Sequence, residues 1–232
     1  MVSKFNLSIA LVREGHVKEA EKLQREALAS QIRLQGPEHP NTLEMQTYLA
    51  ETLIKEKRYA EAVVLLQQRY QAIPQAGNLF EVAGALQLAG RNTEAEKAFA
   101  EFETKALLES TKQQNSNREL IFYYADHANQ TGKALQIAQR ECAWRHDVYT
   151  LDAYAWALHV SGQDTEARKQ METALAVGIR DAKLFRHAGE IALAMGDPAA
   201  AESYLKQSAE LNAPDSKRAQ LELASINAGK AK

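Results

Sequence analysis

A short pattern recurs along this chain at nearly regular intervals. A small residue lies within a predicted helix, Gly or a polar turn follows, and an alanine then appears near the start of the next helix. The six marker alanines are Ala20, Ala62, Ala95, Ala134, Ala167 and Ala201. Successive markers are 42, 33, 39, 33 and 34 residues apart. A period of this length predicts stacked units, because one such unit is too small to bury its own apolar face.

Positions on either side of the markers follow the same register. Small residues stand twelve positions before five of the six markers, namely Ser8, Ala50, Ala83, Ala155 and Gly189. The residues four positions after the markers are Gln24, Leu66, Phe99, Ala138, Met171 and Leu205. Small residues let two helices approach at the lower end of the usual separation of about 8–10 Å, and large residues fill the space between units. The fourth unit is about three residues short between its helices, so we expect its turn to differ.

This pattern resembles the tetratricopeptide repeat, a helix–turn–helix unit of about 34 residues, over essentially the whole chain. The first two units are similar to the longer form found in kinesin light chains and many bacterial proteins. The resemblance implies an all-α fold, a right-handed α-solenoid of antiparallel helix pairs with a C-terminal capping helix. We predict a single array over 1–232, with units at 1–35, 42–75, 76–110, 117–147, 148–180 and 182–214 and a capping helix over 215–229.

Composition supports an all-helical chain and narrows the classes of partner. Only 11 Gly and 5 Pro occur in 232 residues, and good helix formers dominate, so we predict no strands. A net charge of -2 gives no attraction to phosphate backbones or anionic lipid, and no apolar run is long enough to span a bilayer. We therefore expect neither nucleic-acid binding nor membrane insertion. The lone Cys142 favours a cytoplasmic protein, with a periplasmic protein that has lost its signal peptide as the alternative.

The segment LQGPEHPNTLEMQ, residues 34–46, is interpreted as a break between helices. A helix over 17–35 is expected to stop at Gly36, and Asn41 is expected to cap the next helix, with Glu44 reaching back. His39 then lies in an exposed loop and lacks the further ligands that a metal site needs. The same capping preferences predict two other helix starts. Thr93 with Glu96 forms a capping box, and Asp197 is an N-cap followed by Pro198 at the first helical position.

Catalytic chemistry is not indicated. Cys142 and His146 are four residues apart and would share one face of a helix, as a nucleophile and a base could. Cys–His catalysis usually assembles its residues from distant segments, so a buried thiol beside a helix end is the favoured interpretation. No phosphate loop, zinc spacing, nucleophile elbow or dinucleotide fingerprint occurs. We predict a protein that is not an enzyme and has no cofactor and no metal.

The resemblance places the binding face on the first helix of each unit, which lines the concave groove. The residues that it implies for peptide binding are Phe80, Gln87, Phe122, Asp126, Asn129, Asp152, Trp156, His159, Arg186 and Glu190. Aromatic residues at these positions can instead belong to the packing between units. The Lys/Asn clamp that the chaperone-binding branch uses for a partner's C-terminal carboxylate is not expected, because Phe5, Ile9, Tyr48, Gly77 and Glu81 occupy the corresponding positions.

The predicted function is therefore a non-catalytic scaffold or adaptor that binds a protein or peptide partner in its concave groove. Two alternatives remain open from the sequence. The chain could be a regulatory or sensor module of a larger protein that binds a small molecule. It could also self-associate through its N-terminal end, where Phe5, Ile9 and Val12 are expected to form an exposed apolar patch.

Overall fold

The computed structural model describes residues 2–110, 117–211 and 219–226, and these are helical apart from short connections. The helices are α1 (Val2–Arg13), α2 (Val17–Gln35), α3 (Pro40–Lys55), α4 (Tyr59–Ala72), α5 (Ala76–Leu88), α6 (Asn92–Glu109), α7 (Arg118–Phe122), a π-helical segment (Tyr123–His127), α8 (Thr131–Cys142), α9 (Val148–Val160), α10 (Asp164–Leu175), α11 (Ala182–Ala194), α12 (Pro198–Glu210) and α13 (219–226). No β-strand occurs in these ranges. None of their helices combines the length and the apolar character that crossing a membrane requires.

The helices form two compact units, Met1–Glu109 and Ser110–Lys232. In the first unit, α1 to α6 pack in chain order, each against the next. In the second unit, α7 and the π-helical segment pack on α8, α9 packs on α10, and α11 packs on α12. Each unit is thus a stack of three helix pairs, which confirms the predicted all-α repeat fold. A single array over 1–232 stays a prediction.

The repeat register is visible in the burial of the marker residues. All six marker alanines are at most 3% exposed, and the small residues twelve positions earlier are buried as well. Gly189 shows why these positions are small. A Cβ atom at Gly189 would lie 2.6 Å from Leu205 Cγ on α12, a distance that carbon atoms do not tolerate. The close contact between α11 and α12 therefore depends on the missing side chain.

We expect Gly189→Ala to lower the free energy of unfolding by about 1–3 kcal/mol, because the added methyl group overpacks the α11–α12 contact. Chemical denaturation followed by circular dichroism measures this change. Gly84 is the matched control: it also lies inside a helix, α5, but a Cβ there meets nothing within 4 Å. Gly84→Ala should be neutral or stabilise by up to about 1 kcal/mol. Equal losses in both variants would contradict the packing argument.

The turn inside every helix pair uses one backbone conformation at one position. The residue five positions before each marker has positive φ in all six pairs: Gly15 (85°), Lys57 (61°), Gly90 (73°), Asn129 (52°), Gly162 (75°) and Gly196 (73°). Four of these residues are glycine, for which the left-handed region has no Cβ penalty. Asn tolerates this region better than most residues. Lys57 is the one residue of the six whose side chain makes the left-handed conformation unfavourable.

Lys57→Gly should therefore stabilise the first unit by about 0.5–1 kcal/mol, since relief of roughly 1–2 kcal/mol of left-handed strain exceeds the added entropy of the unfolded glycine. The reverse test is Gly90→Ala. A Cβ at Gly90 meets nothing within 4 Å, so only the backbone conformation can penalise it. Thermal and urea unfolding should give opposite signs for the two variants, and equal signs would be inconsistent with the turn interpretation.

The helix starts agree with the sequence in one case and differ in two. Asp197 caps α12 by accepting a hydrogen bond from the Ala200 amide at 3.0 Å, with Pro198 as the first helical residue, as predicted. The prediction for Asn41 was wrong. His39 is the N-cap, and its Nδ1 accepts the Asn41 amide at 3.2 Å. Pro40 suits the first helical position because it has no N–H to satisfy, so the helix begins earlier.

The capping box at Thr93 was also wrong. The amides of Glu94 and Ala95 both donate to the Arg91 carbonyl, so α6 starts before Thr93 and places this residue inside its first turn. The end of α2 is as predicted: the helix covers Val17–Gln35, and Gly36 follows with φ 88°.

The N-terminal helix differs from the expected apolar surface, and the predicted capping helix is described in part. Phe5 is only 7% exposed and packs edge-on against Tyr48, with ring centroids 5.4 Å apart. It therefore does not belong to an exposed patch with Ile9 and Val12, which are half-buried. In α13, Ala219 is buried and Leu221 is 65% exposed. Residues 215–218 and 227–229 of the predicted capping helix lie outside the described residues.

Candidate functional site

The first helices of three successive repeats meet on one face of the second compact unit. α7 and the π-helical segment pack on α9, and α9 packs on α11. Phe122 of α7 also reaches α11, where its ring lies 5.7 Å from that of His187 and 4.4 Å from the Lys183 ammonium. We call this face the inner face of the second unit. Its elements bring together side chains from three successive repeats.

A charged network is buried beneath the inner face. His187 is 0% exposed, and Asp152 and Arg186 are buried beside it. His187 Nδ1 lies 2.7 Å from Asp152 Oδ1 on α9, and the Arg186 guanidinium lies 2.9 Å from His187 Nε2. Arg186 also pairs with Glu190 one turn further along α11. The charges are thus grouped in a chain of hydrogen bonds, as buried charges must be.

The geometry determines which nitrogen of His187 carries the proton. A guanidinium can only donate hydrogen bonds, so Nε2 must accept the bond from Arg186 with its lone pair. Nδ1 then carries the hydrogen and donates it to the Asp152 carboxylate. His187 is accordingly neutral in this arrangement, held between a cation and an anion.

Trp156 connects this network to the surface. Its ring stacks on His187 with centroids 4.1 Å apart at 13°, and the Arg186 Cζ atom lies 5.1 Å from the Trp156 ring centroid. The indole Nε1–H donates to Asp126 Oδ1 at 2.8 Å. Asp126 is exposed on the π-helical segment. A buried ring thus joins the neutral histidine to an exposed carboxylate on a neighbouring repeat.

The π-helical segment forms the turn of the fourth repeat, which is the repeat with the short connection between its helices. Its wider coil is closed by the bond from the Ala128 amide to the Tyr123 carbonyl, at 2.9 Å. Asn129 follows with positive φ, and α8 begins two residues later. Single π turns inside helices occur frequently at functional sites. Here the π turn carries Asp126 and His127 at the end of the inner face.

His127 has an altered acidity in this position. Partial burial lowers the pKa of His127, the positive charge of Lys183 lowers it further, and the Asp126 carboxylate opposes both effects. The imidazole nevertheless keeps contact with solvent.

The titration of His127 tests this surface directly. Its imidazole C–H resonances in NMR should titrate below the ordinary value of 6.5. Lys183→Gln should raise the midpoint because it removes a repelling charge, and Asp126→Asn should lower it because it removes an attracting one. His146, exposed beyond the end of α8, serves as the reference and should not respond to either change. Movement of both histidines together would contradict the proposed arrangement.

The predicted site residues fall into two groups. Phe122, Asp152, Trp156 and Arg186 are buried, so the two aromatic rings belong to packing, the alternative that the sequence left open. The remaining predicted residues are exposed or half-buried: Phe80, Gln87, Asp126, Asn129, His159 and Glu190.

His159 bonds to Asp164 at 2.6 Å. Phe80, in the first unit, packs on Phe99 and Phe102. His187 was not predicted, because it lies between the positions that the family uses to line the groove. The sequence signal for a buried His187 is its position beside Arg186 in an otherwise mostly apolar helix.

Cys142 and His146 do not form a pair on one helix. α8 ends at Cys142, and His146 lies beyond that end. Burial raises the pKa of the Cys142 thiol, which disfavours the thiolate that a nucleophile requires. The helical spacing noted in the sequence is therefore not realised in the structure.

Comparison with known proteins agrees with this architecture. Two family models described as tetratricopeptide repeat match residues 1–75 and 186–230, together about half of the chain. None of the curated proteins matches the sequence significantly.

Two solved structures share the fold. A tetratricopeptide repeat protein from Parabacteroides merdae is 14% identical, with 97% of each chain covered and a TM-score of 0.50. PilW, a widely conserved type IV pilus biogenesis factor, is 21% identical, with 88% of this chain and 90% of that chain covered and a TM-score of 0.52. With its repeated helix pairs, buried marker alanines and family matches, this chain belongs to the tetratricopeptide repeat family.

Proposed function

We propose that this chain is a non-catalytic scaffold that holds a segment of a partner protein on the inner face of its second unit. Tetratricopeptide repeats support a protein-interaction scaffold in general. The finer proposal concerns where the partner binds and which side chains contact it.

The buried charges beneath the inner face carry this proposal. Desolvating Asp152 and Arg186 is expensive, and apolar residues of similar volume are often equally or more stabilising at such positions. A stack of helices therefore does not need these charges for its stability. Clusters of buried ionisable groups beside a surface are instead frequent at functional sites. The network fixes Trp156, and Trp156 in turn holds Asp126.

The accessible part of the face offers groups suited to an extended peptide. Tyr149 is 43% exposed at the start of α9 and carries the Arg118 guanidinium 5.2 Å from its ring centroid. Asp126 and Asn129 are exposed and can bond to backbone amides and carbonyls. Lys183, near the start of α11, adds a positive charge that acts on the neighbouring His127. Rigid aromatic area with polar groups around it is the composition typical of binding surfaces.

Site-specific photo-crosslinking tests the location. A photoreactive phenylalanine analogue is introduced at position 149 or 127 on the inner face, or at Lys169, an exposed residue of the second helix α10. We expect positions 149 and 127 to crosslink to the same partner in native cells and position 169 not to do so. In the isolated complex, Tyr149→Ala should weaken binding by roughly tenfold or more, whereas Lys169→Ala should leave it unchanged.

The other outcomes decide against the proposal. A partner that crosslinks equally at position 169, or binding that is unaffected by Tyr149→Ala, would place the interaction elsewhere. Crosslinks only between copies of this chain would support self-association in its place. Crosslinks to a metabolite at positions 149 and 127, with no crosslink to any protein, would support the small-molecule sensor.

A further inference from the structure

The neutral state of His187 has a consequence for the surface above it. Nδ1 already donates its hydrogen to Asp152, so the nitrogen left to accept a proton is Nε2. That nitrogen accepts a hydrogen bond from Arg186 at 2.9 Å. A proton on Nε2 would turn this contact into a donor facing a donor, and a cation facing a cation. His187 and Arg186 therefore cannot both stay in place when the imidazole is charged.

The two partners of His187 respond differently to a proton. The Asp152 carboxylate gains an ion pair with the charged imidazole, so the Asp152–His187 contact is strengthened. Arg186 loses this acceptor and meets a like charge, but keeps its attraction to Glu190, whose side chain is 12% exposed compared with 4% for Arg186. Arg186 is thus the group that must move, and Glu190 draws it toward the surface of the inner face.

We propose that His187 is an acid-sensitive latch: a proton on its Nε2 expels the Arg186 guanidinium from the buried network and presents it on the inner face of the second unit. At neutral pH the latch is closed, Arg186 is buried and Trp156 is covered. In acid the inner face gains an exposed cation and an open indole ring, while the helices keep their positions. This inference concerns the network itself and does not depend on which partner binds.

The surrounding charges are arranged for such a change. Among the described residues, the charged or titratable groups near the network include Arg118 and Glu119 on α7, Asp126 and His127 on the π-helical segment, Asp152 and His159 on α9, Asp164, Arg168 and Glu172 on α10, and Lys183, Arg186 and Glu190 on α11. On α12, which also packs against α11, Lys206 and Glu202 pair with each other. Asp152 is the carboxylate bonded directly to His187, so it stabilises the charged imidazole once Arg186 has left.

The two tryptophans of the chain make the latch observable. Trp144 is 81% exposed, and Trp156 stacks on His187. In a Trp144→Phe background, Trp156 is the single indole. A charged imidazole stacked on an indole quenches its emission, and departure of Arg186 admits water to the ring. We expect Trp156 emission to fall and shift to the red as the pH is lowered from neutral, because protonation of His187 is the event that opens the latch.

Three controls make the assignment specific. His187→Gln in the same background should abolish the change. His159→Gln and His127→Gln should retain it, although the His159 ring also lies 5.1 Å from Trp156. Far-UV circular dichroism over the same range should remain constant, since the proposal moves side chains and not helices. A change that survives His187→Gln, or a loss of helicity with the same midpoint, would overturn the latch.

A second measurement does not require any change at position 187. NMR of the imidazole nitrogens in the unmodified chain reports the tautomer. We expect His187 to carry its hydrogen on Nδ1 at about pH 7.5 and on both nitrogens after the acid transition. Arg186→Gln, which removes the cation facing Nε2, should move the transition to higher pH. An Nε2–H tautomer at neutral pH, or a transition that Arg186→Gln leaves in place, would contradict the mechanism.

Discussion

The fold depends on how closely the two helices of a pair can approach. At the α11–α12 contact, Gly189 leaves so little room that a single methyl group would overlap Leu205. Equivalent positions in other pairs hold Ser8, Ala50, Ala83 and Ala155, all fully buried. This contact sets the spacing within a pair, and the spacing determines whether larger side chains can fill the gap to the next pair. Repetition of one steric constraint thus produces the stack.

The same stacking also removes side chains of the first helices from water. Side chains from α7, α9 and α11 meet on the inner face of the second unit, where they shield one another from water. Apolar groups could have filled this space. The chain instead buries a carboxylate, a guanidinium and an imidazole there, linked in order through Asp152, His187 and Arg186. Their arrangement fits the neutral imidazole, and this is the basis of the proposed latch.

Irregular backbone in the fourth repeat contributes to this coupling. The shorter connection is accommodated by a π turn and by the left-handed Asn129. The π turn carries Asp126, which accepts the indole hydrogen of Trp156. The departure from regular repeat length therefore lies where the buried network reaches the solvent. The regular repeat formed by α9 and α10 contributes Leu151, Leu158 and Met171 to an apolar cluster.

The sequence by itself determined the fold class, the register of the repeats and the turns, because these follow from local size and backbone preference. A glycine five residues before a buried alanine adopts positive φ in each of the four repeats that have one. The sequence could not determine which inner-face residues are buried. The sequence predicts Trp156 and Arg186 as lining of the groove, yet both side chains are buried. His187 was not recognised, because its partners are 35 residues away on α9 and adjacent on α11. Only tertiary structure decides such contacts, since burial and hydrogen bonding here depend on three separate repeats meeting at one place.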